Sequence, residues 1–201
     1  MKEYPSIAYQ IDRGFDIYAF DKIDGSNVRC EWTRKNGFNK FGSRRRLMDE
    51  SDEFLGEAIP LIKGMGDQLA AVFLKERWQQ VTCFFEFHGP NSFAGQHQQE
   101  PHAVALLDVN PYKMGILPPR DFLKLFEHLA IPKLLYMGKA NQTFEQSVRD
   151  SALPGMTFEG VVCKGVRKDR HLTMFKIKSA AWLEKLRTFC AGDEKKFQQL
   201  L

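Results

Sequence analysis

No pair among Cys30, Cys83, Cys163 and Cys190 stands at CxxC spacing, so the sequence offers neither a cysteine zinc framework nor a disulfide scaffold. The four thiols read as reduced and buried. No apolar run approaches the roughly 18 residues needed to cross a bilayer, and the opening MKEYPSIAYQ lacks the apolar region of a signal peptide. The expectation is a cytoplasmic protein without a membrane partner. A large excess of charge of one sign is missing as well: 29 Lys and Arg against 25 Asp and Glu leave a net charge of +4, which permits a polyanionic partner without demanding one. Repeats, low-complexity tracts and linkers are missing too, so residues 1–201 are expected to form a single domain.

Aromatic residues are plentiful. Seventeen phenylalanines in a chain that is 43% hydrophobic point to a strongly aromatic core. Runs rich in β-branched and aromatic residues at 16–21, 27–33, 82–88, 103–109, 159–166 and 172–178 are expected strands. Helical spacing marks 53–62 and 67–79, with Asp67 as N-cap, and a helix follows Pro118 and Pro119 through Phe122, Leu125, Phe126 and Leu129. Thr143 with Gln146 has the form of a capping box, and Trp182, Leu186 and Phe189 mark a last helix. Without regular βαβ alternation, this mixture predicts an α+β fold with largely antiparallel sheets flanked by helices.

Several stretches carry chemistry. In FDKIDGSNVR, Lys22 sits between two expected strands and is followed by Asp24, Gly25 and Asn27. A lysine is a poor nucleophile at neutral pH unless desolvation or neighbouring cations lower its pKa. Lys176 and Lys178 supply such cations: alternation in FKIK places both on one strand face, with Phe175 and Ile177 on the other. Two ammonium groups on one face also suit a phosphate. Glu86, between Phe85 and Phe87, must be paired or hold a ligand, because a bare carboxylate is costly in apolar surroundings. Glu159 stands at the mouth of a strand carrying Val161, Val162 and Lys164, and carboxylate oxygen suits magnesium.

In order along the chain, KIDGSN, Gly42-Ser43-Arg44, Phe85-Glu86-Phe87-His88-Gly89, Leu107-Asp108-Val109, Glu159-Gly160-Val161-Val162 and Lys176-Ile177-Lys178 resemble motifs I, Ia, III, IIIa, IV and V of the covalent nucleotidyltransferases. Asn27 and the compact Lys-Ile-Lys, with Tyr4-Pro5-Ser6-Ile7 and Lys164, resemble the phage-type RNA ligases that seal nicks. The resemblance implies a nucleotidyltransferase domain of ATP-grasp-like character and an ATP-dependent RNA ligase that joins 3′-hydroxyl and 5′-phosphate ends. It implies that Lys22 attacks the α-phosphorus of ATP and carries AMP as a lysyl phosphoramidate. Lys176 and Lys178 would hold the α-phosphate, Asn27 and Arg44 would contact phosphate or ribose, Glu86 would accept the ribose hydroxyl, and Glu159 with Asp24 would position magnesium or manganese. Ile23, Leu107, Val162 and Lys164 complete the implied nucleotide-binding set, with Leu107 where an aromatic residue usually stacks on adenine. Its partners would be ATP and RNA, or an RNA-containing nicked duplex. Glu159 and Val162 can both serve the nucleotide only if the strand begins after Glu159 or bulges there. Only 23 residues follow Lys178, too few for an OB domain.

Arg45 and Arg46, near Arg34, Lys35 and Lys40, read as a basic loop that can meet nucleic acid. His88 reads as a satisfied structural histidine, and His97, His102, His128 and His171 show no ligand spacing. Trp78 and Trp182 fit helical core faces. The alternatives are an ATP-dependent DNA ligase domain, a GTP-using capping enzyme, or a silent nucleotide- or nucleic-acid-binding module of the same fold. The intact Lys22, Glu159 and Lys176 weigh against the silent module.

Overall fold

The computed structural model describes residues 1–9, 11–90, 92–95 and 97–201. In chain order the elements are β1 (Asp16–Asp21), β2 (Ser26–Thr33), β3 (Gly37–Ser43), β4 (Leu47–Met48), α1 (Ala58–Gly64), α2 (Gly66–Lys75), β5 (Gln80–His88), β6 (Ala103–Pro111), α3 (Pro119–Phe126), β7 (Leu134–Lys139), α4 (Gln142–Arg149), β8 (Gly160–Val166), β9 (Leu172–Lys178), α5 (Ala180–Cys190) and α6 (Glu194–Leu200). The fold is α+β with antiparallel sheets, as the absence of βαβ alternation leads one to expect. The chain forms two compact units.

Unit 1 comprises residues 1–5 and 24–132. Its five-stranded antiparallel sheet has the order β4-β3-β2-β5-β6. Alternate residues of β2 and β5, including Val28, Cys30, Trp32, Val81, Cys83, Phe85 and Phe87, are buried in a core shared with Ile62, Leu69, Phe73, Phe122 and Phe126 of the helices. The aromatic expectation holds here: Phe73 meets Trp32, Trp78 and Phe126 at centroid distances of 5.2, 5.8 and 6.3 Å, separations typical of favourable ring pairs.

Unit 2 comprises residues 6–23 and 133–201. Its four strands run β7-β1-β8-β9, antiparallel throughout. Ile17, Ala19, Val161, Cys163, Phe175 and Ile177 pack with Phe144 and Val148 of α4. Phe175 and Ile177 are each about 1% exposed, and burying such side chains is worth ~1.5–3 kcal/mol apiece. That burial fixes the register of β9 and sends the lysines to its other face.

Several local expectations need correction. Residues 53–57 form turns, because Asp52 Oδ1 accepts from the backbone N–H groups of Phe54 and Leu55 at 3.3 and 3.1 Å. Helix α1 therefore starts only at Ala58. Asp67 lies inside the first turn of α2, whose cap position is Met65, where it complements the helix dipole. Thr143 and Gln146 lie within α4. The cap there is Asn141, which accepts from Phe144 N–H at 2.8 Å. Phe189 is 52% exposed, and the apolar stripe of α5 is completed by Cys190 instead.

Candidate functional site

In unit 2 the end of β1 carries Lys22. Its backbone N–H donates to Gly160 O at 2.9 Å, tying it to the start of β8. Strand β8 begins at Gly160, one residue after Glu159, so the condition for Glu159 and Val162 both to serve the nucleotide is met. Gly160 has φ +128°, and a Cβ there would collide with the Ile177 carbonyl oxygen. Only glycine fits that pivot.

The carboxylate of Glu159 lies between two lysines. Lys22 Nζ donates to Oε2 at 3.0 Å, and Lys178 Nζ donates to Oε1. Glu159 and Lys178 are buried, their side chains 5% and 3% exposed, while the Lys22 side chain is 22% exposed. The face opposite Phe175 and Ile177 thus brings Lys178 to Glu159 as alternation predicted, and Lys176 pairs across the strands with Val162. Lys178 Nζ also lies 3.5 Å from the centroid of the Trp182 ring, a cation–π contact. Burial, followed by the charge of Lys22, lowers the Lys178 pKa to about 7, against the opposing pull of Glu159.

Two supports of this cluster were missed in the sequence. Asp21, 6% exposed, accepts from Thr157 N–H at 2.9 Å and from the Thr157 hydroxyl at 3.1 Å. It anchors the segment that leads to Glu159. Ser179, fully buried, donates its hydroxyl to Phe158 O at 2.6 Å, accepts from Trp182 N–H at 3.1 Å, and sends its own N–H to Glu159 O at 3.1 Å. It is at once the cap of α5 and a clamp on the strand ends. The signal for each was adjacency: Asp21 precedes Lys22 and Ser179 follows Lys178.

Lys164 is only 4% exposed and its Nζ sits 5.1 Å from the centroid of the Phe20 ring. It cannot form part of an exposed nucleic-acid surface. Strand alternation puts it on the Val162 face of β8, and burial removes it from solvent.

In unit 1, the KIDGSN stretch continues from Asp24. Asp24 Oδ2 accepts from Ala94 N–H, and a Cβ at Gly25 would meet the Phe87 carbonyl oxygen, so the glycine permits the close approach to β5. Asn27 pairs with Glu86 across β2 and β5 and donates Nδ2–H to Phe85 O at 3.3 Å. Leu107 is the extra residue of a bulge: Phe84 pairs with Asp108 and Phe85 with Leu106. Asp108, 1% exposed, accepts from the Tyr4 hydroxyl. Burial, then the charge of Asp108, holds the Tyr4 pKa well above the usual phenol value. Arg44, Arg45 and Arg46 form the turn between β3 and β4 and are exposed, with Arg46 paired to Asp52 at 2.5 Å. Lys40 pairs with Glu31 at 2.7 Å.

His88 is not the satisfied histidine expected, since its buried Nδ1 has no hydrogen-bond partner among the described residues. It falls beside His97 and Glu100, their ligand atoms within 4.8 Å of one another. Sequence spacings of nine and three residues gave no sign of this cluster, which exists only because the β5–β6 loop folds back. Among the described residues, no helix is long and apolar enough to cross a membrane.

This architecture is similar to that of solved RNA ligases. A Naegleria gruberi RNA ligase variant solved with ATP and manganese superposes with a TM-score of 0.67 at 17% identity, covering 92% of this chain and 58% of that one. The same ligase with pyrophosphate gives 0.65 at 18% identity, covering 86% and 52%. An archaeal ATP-dependent RNA ligase gives 0.63 at 12% identity, covering 94% and 52%. The likeness is one of fold, and the chain spans little more than half the length of these ligases. No protein-family model and no curated protein matches the sequence.

Proposed function

We propose that residues 1–201 form the adenylyltransferase domain of a cytoplasmic ATP-dependent polynucleotide ligase that acts on RNA through lysyl-AMP at Lys22. The observation that carries this reading is the trio Lys22–Glu159–Lys178, in which two lysines share one buried carboxylate. With a pKa of about 7, Lys178 is neutral in about half of the chains at neutral pH. It takes up a proton from Lys22 across Glu159, leaving Lys22 an amine. The Lys22 Nζ–phosphorus bond then forms as the bond to pyrophosphate breaks, and the second amine proton leaves to pyrophosphate or water. Lys178, now an ammonium, and Lys176 stabilise the α-phosphate charge.

Ile23, Val162 and the buried Lys164 serve the nucleotide in unit 2. In unit 1, Asn27 and Arg44 serve phosphate or ribose, Glu86 the ribose hydroxyl and Leu107 the base. Carboxylate chemistry suits magnesium or manganese at Glu159 and Asp24. Each Glu159 oxygen already accepts from an ammonium, so a divalent cation held there would share the carboxylate with Lys22 and Lys178. Such a metal, when bound, would offset charge on the departing pyrophosphate.

The test is sealing. With ATP and magnesium, the purified chain should join a 5′-phosphate nick in an RNA-containing duplex, faster than the same nick with deoxyribose throughout. Equal or faster sealing of the all-DNA nick would assign it to the DNA ligases. ATP binding with neither adduct nor joining would leave a silent binding module.

A further inference from the structure

We infer that His88, His97 and Glu100 form a zinc-class metal site in the β5–β6 loop of unit 1. This site is independent of the nucleotide chemistry assigned above. His88 ends β5, and the loop that follows carries His97 and Glu100 back to it, so that the three ligand atoms lie within 4.8 Å of one another. The imidazoles of His88 and His97 are 4.8 Å apart, ring centre to ring centre. His97 Nδ1 is 2.9 Å from Glu100 Oε2.

A local His97–Glu100 ion pair, three residues apart, needs no metal. It leaves unexplained why His88 brings a second imidazole against the pair while its own buried Nδ1 has no partner among the described residues. An unsatisfied buried polar atom costs ~1–3 kcal/mol, and a metal supplies what is missing. Bonds of about 2.0–2.1 Å in a tetrahedron set zinc ligands about 3.4 Å apart, so small side-chain rotations close the set.

Two imidazoles and one carboxylate suit zinc and its spectroscopic substitute cobalt. Magnesium and calcium demand an all-oxygen shell. Glu100 is 56% exposed, which leaves a route for the ion and room for water at the fourth position. The same loop carries Ala94, whose N–H donates to Asp24 in KIDGSN. An ion bridging the loop to β5 would therefore steady the contact that Asp24 makes.

The experiment titrates untagged, chelator-dialysed protein with cobalt(II) in the absence of nucleotide, then displaces it with zinc. We expect one cobalt per chain with the visible bands of a low-coordinate site, loss of those bands on adding zinc, and a higher melting temperature with zinc. His97→Ala and Glu100→Ala, both on the loop and checked for unchanged circular dichroism, should each weaken cobalt binding at least about tenfold. Absence of saturable cobalt binding, or equal affinity in both variants, would overturn the site. Because no nucleotide is present, either failure leaves the ligase reading untouched.

Discussion

Lys22 and Lys178 hold opposite oxygens of a single carboxylate, that of Glu159, at the junction of β1, β8 and β9. Burying the charges of Glu159 and Lys178 beside the partly exposed Lys22 is expensive, and the chain offsets that cost by lowering the proton affinity of Lys178. The arrangement sets a lysine that titrates at about 7 beside Lys22, the nucleophile of the proposed reaction.

The first prediction concerns pH. Lys178 titrates at about 7 in the folded chain and at an ordinary value of 10.5 when unfolded. Between those values the unfolded chain binds more protons, so this residue makes stability rise with pH across the window, by at most ~1.4 kcal/mol per pH unit. Below about 7 its contribution to the slope vanishes. Chemical denaturation from pH 6 to 10 should show the rise, and Lys178→Met should flatten it. An identical slope in the variant would place the titration elsewhere. Adenylylation at saturating ATP should rise through the same region near pH 7.

Replacing Glu159 tests the shared carboxylate. Glu159→Gln keeps the shape but removes the proton path and the counter-charge, and it should slow adenylylation at least about a hundredfold, the range of a lost acid–base group. Its circular dichroism should match the parent. Near-parent rates in the glutamine variant would show that charge at this position is dispensable.

Asp21 is predicted to position the site without touching nucleotide. Asp21→Ala removes two hydrogen bonds to Thr157 and should cost ~1–3 kcal/mol of stability. It should lower the adenylylation rate with little change in the KM for ATP. Asp21→Asn, which keeps one acceptor, should recover most of the loss. A rise in KM alone would mean that Asp21 contacts substrate.

Nucleic-acid binding should rest on the exposed turn between β3 and β4. Arg45→Ala should weaken binding of nicked RNA duplex and reduce the salt slope by about one unit, whereas Lys164→Met, at a buried position, should leave that slope unchanged. A changed slope in the lysine variant would contradict its burial.

Strand identity was legible wherever one face is apolar. The alternation in FKIK gave both the strand and the placement of its lysines, and β1, β2, β5, β6 and β8 fell within a few residues of expectation. Strands β3, β4 and β7 were not expected; in β7, Leu134, Leu135 and Tyr136 are all half-buried in succession, so no period-two signal exists. The start of α4 was read two residues late, since Thr143 and Asn141 are both plausible caps and only the backbone decides. Lys22, Glu159 and Lys178 could be named from order along the chain. That Glu159 binds both lysines at once could not, because it depends on the glycine pivot at Gly160. The His88–His97–Glu100 cluster left no mark, as its ligands share no period.

The central claim is that Lys22 is the nucleophile toward ATP. Intact mass spectrometry of the purified chain after exposure to ATP and magnesium, followed by peptide mapping, tests it most directly. The account predicts the addition of one adenylyl group, located on Lys22, removed by pyrophosphate and absent from Lys22→Ala. An unchanged mass in the parent chain while ATP is bound, or an adduct that persists in Lys22→Ala, would contradict it.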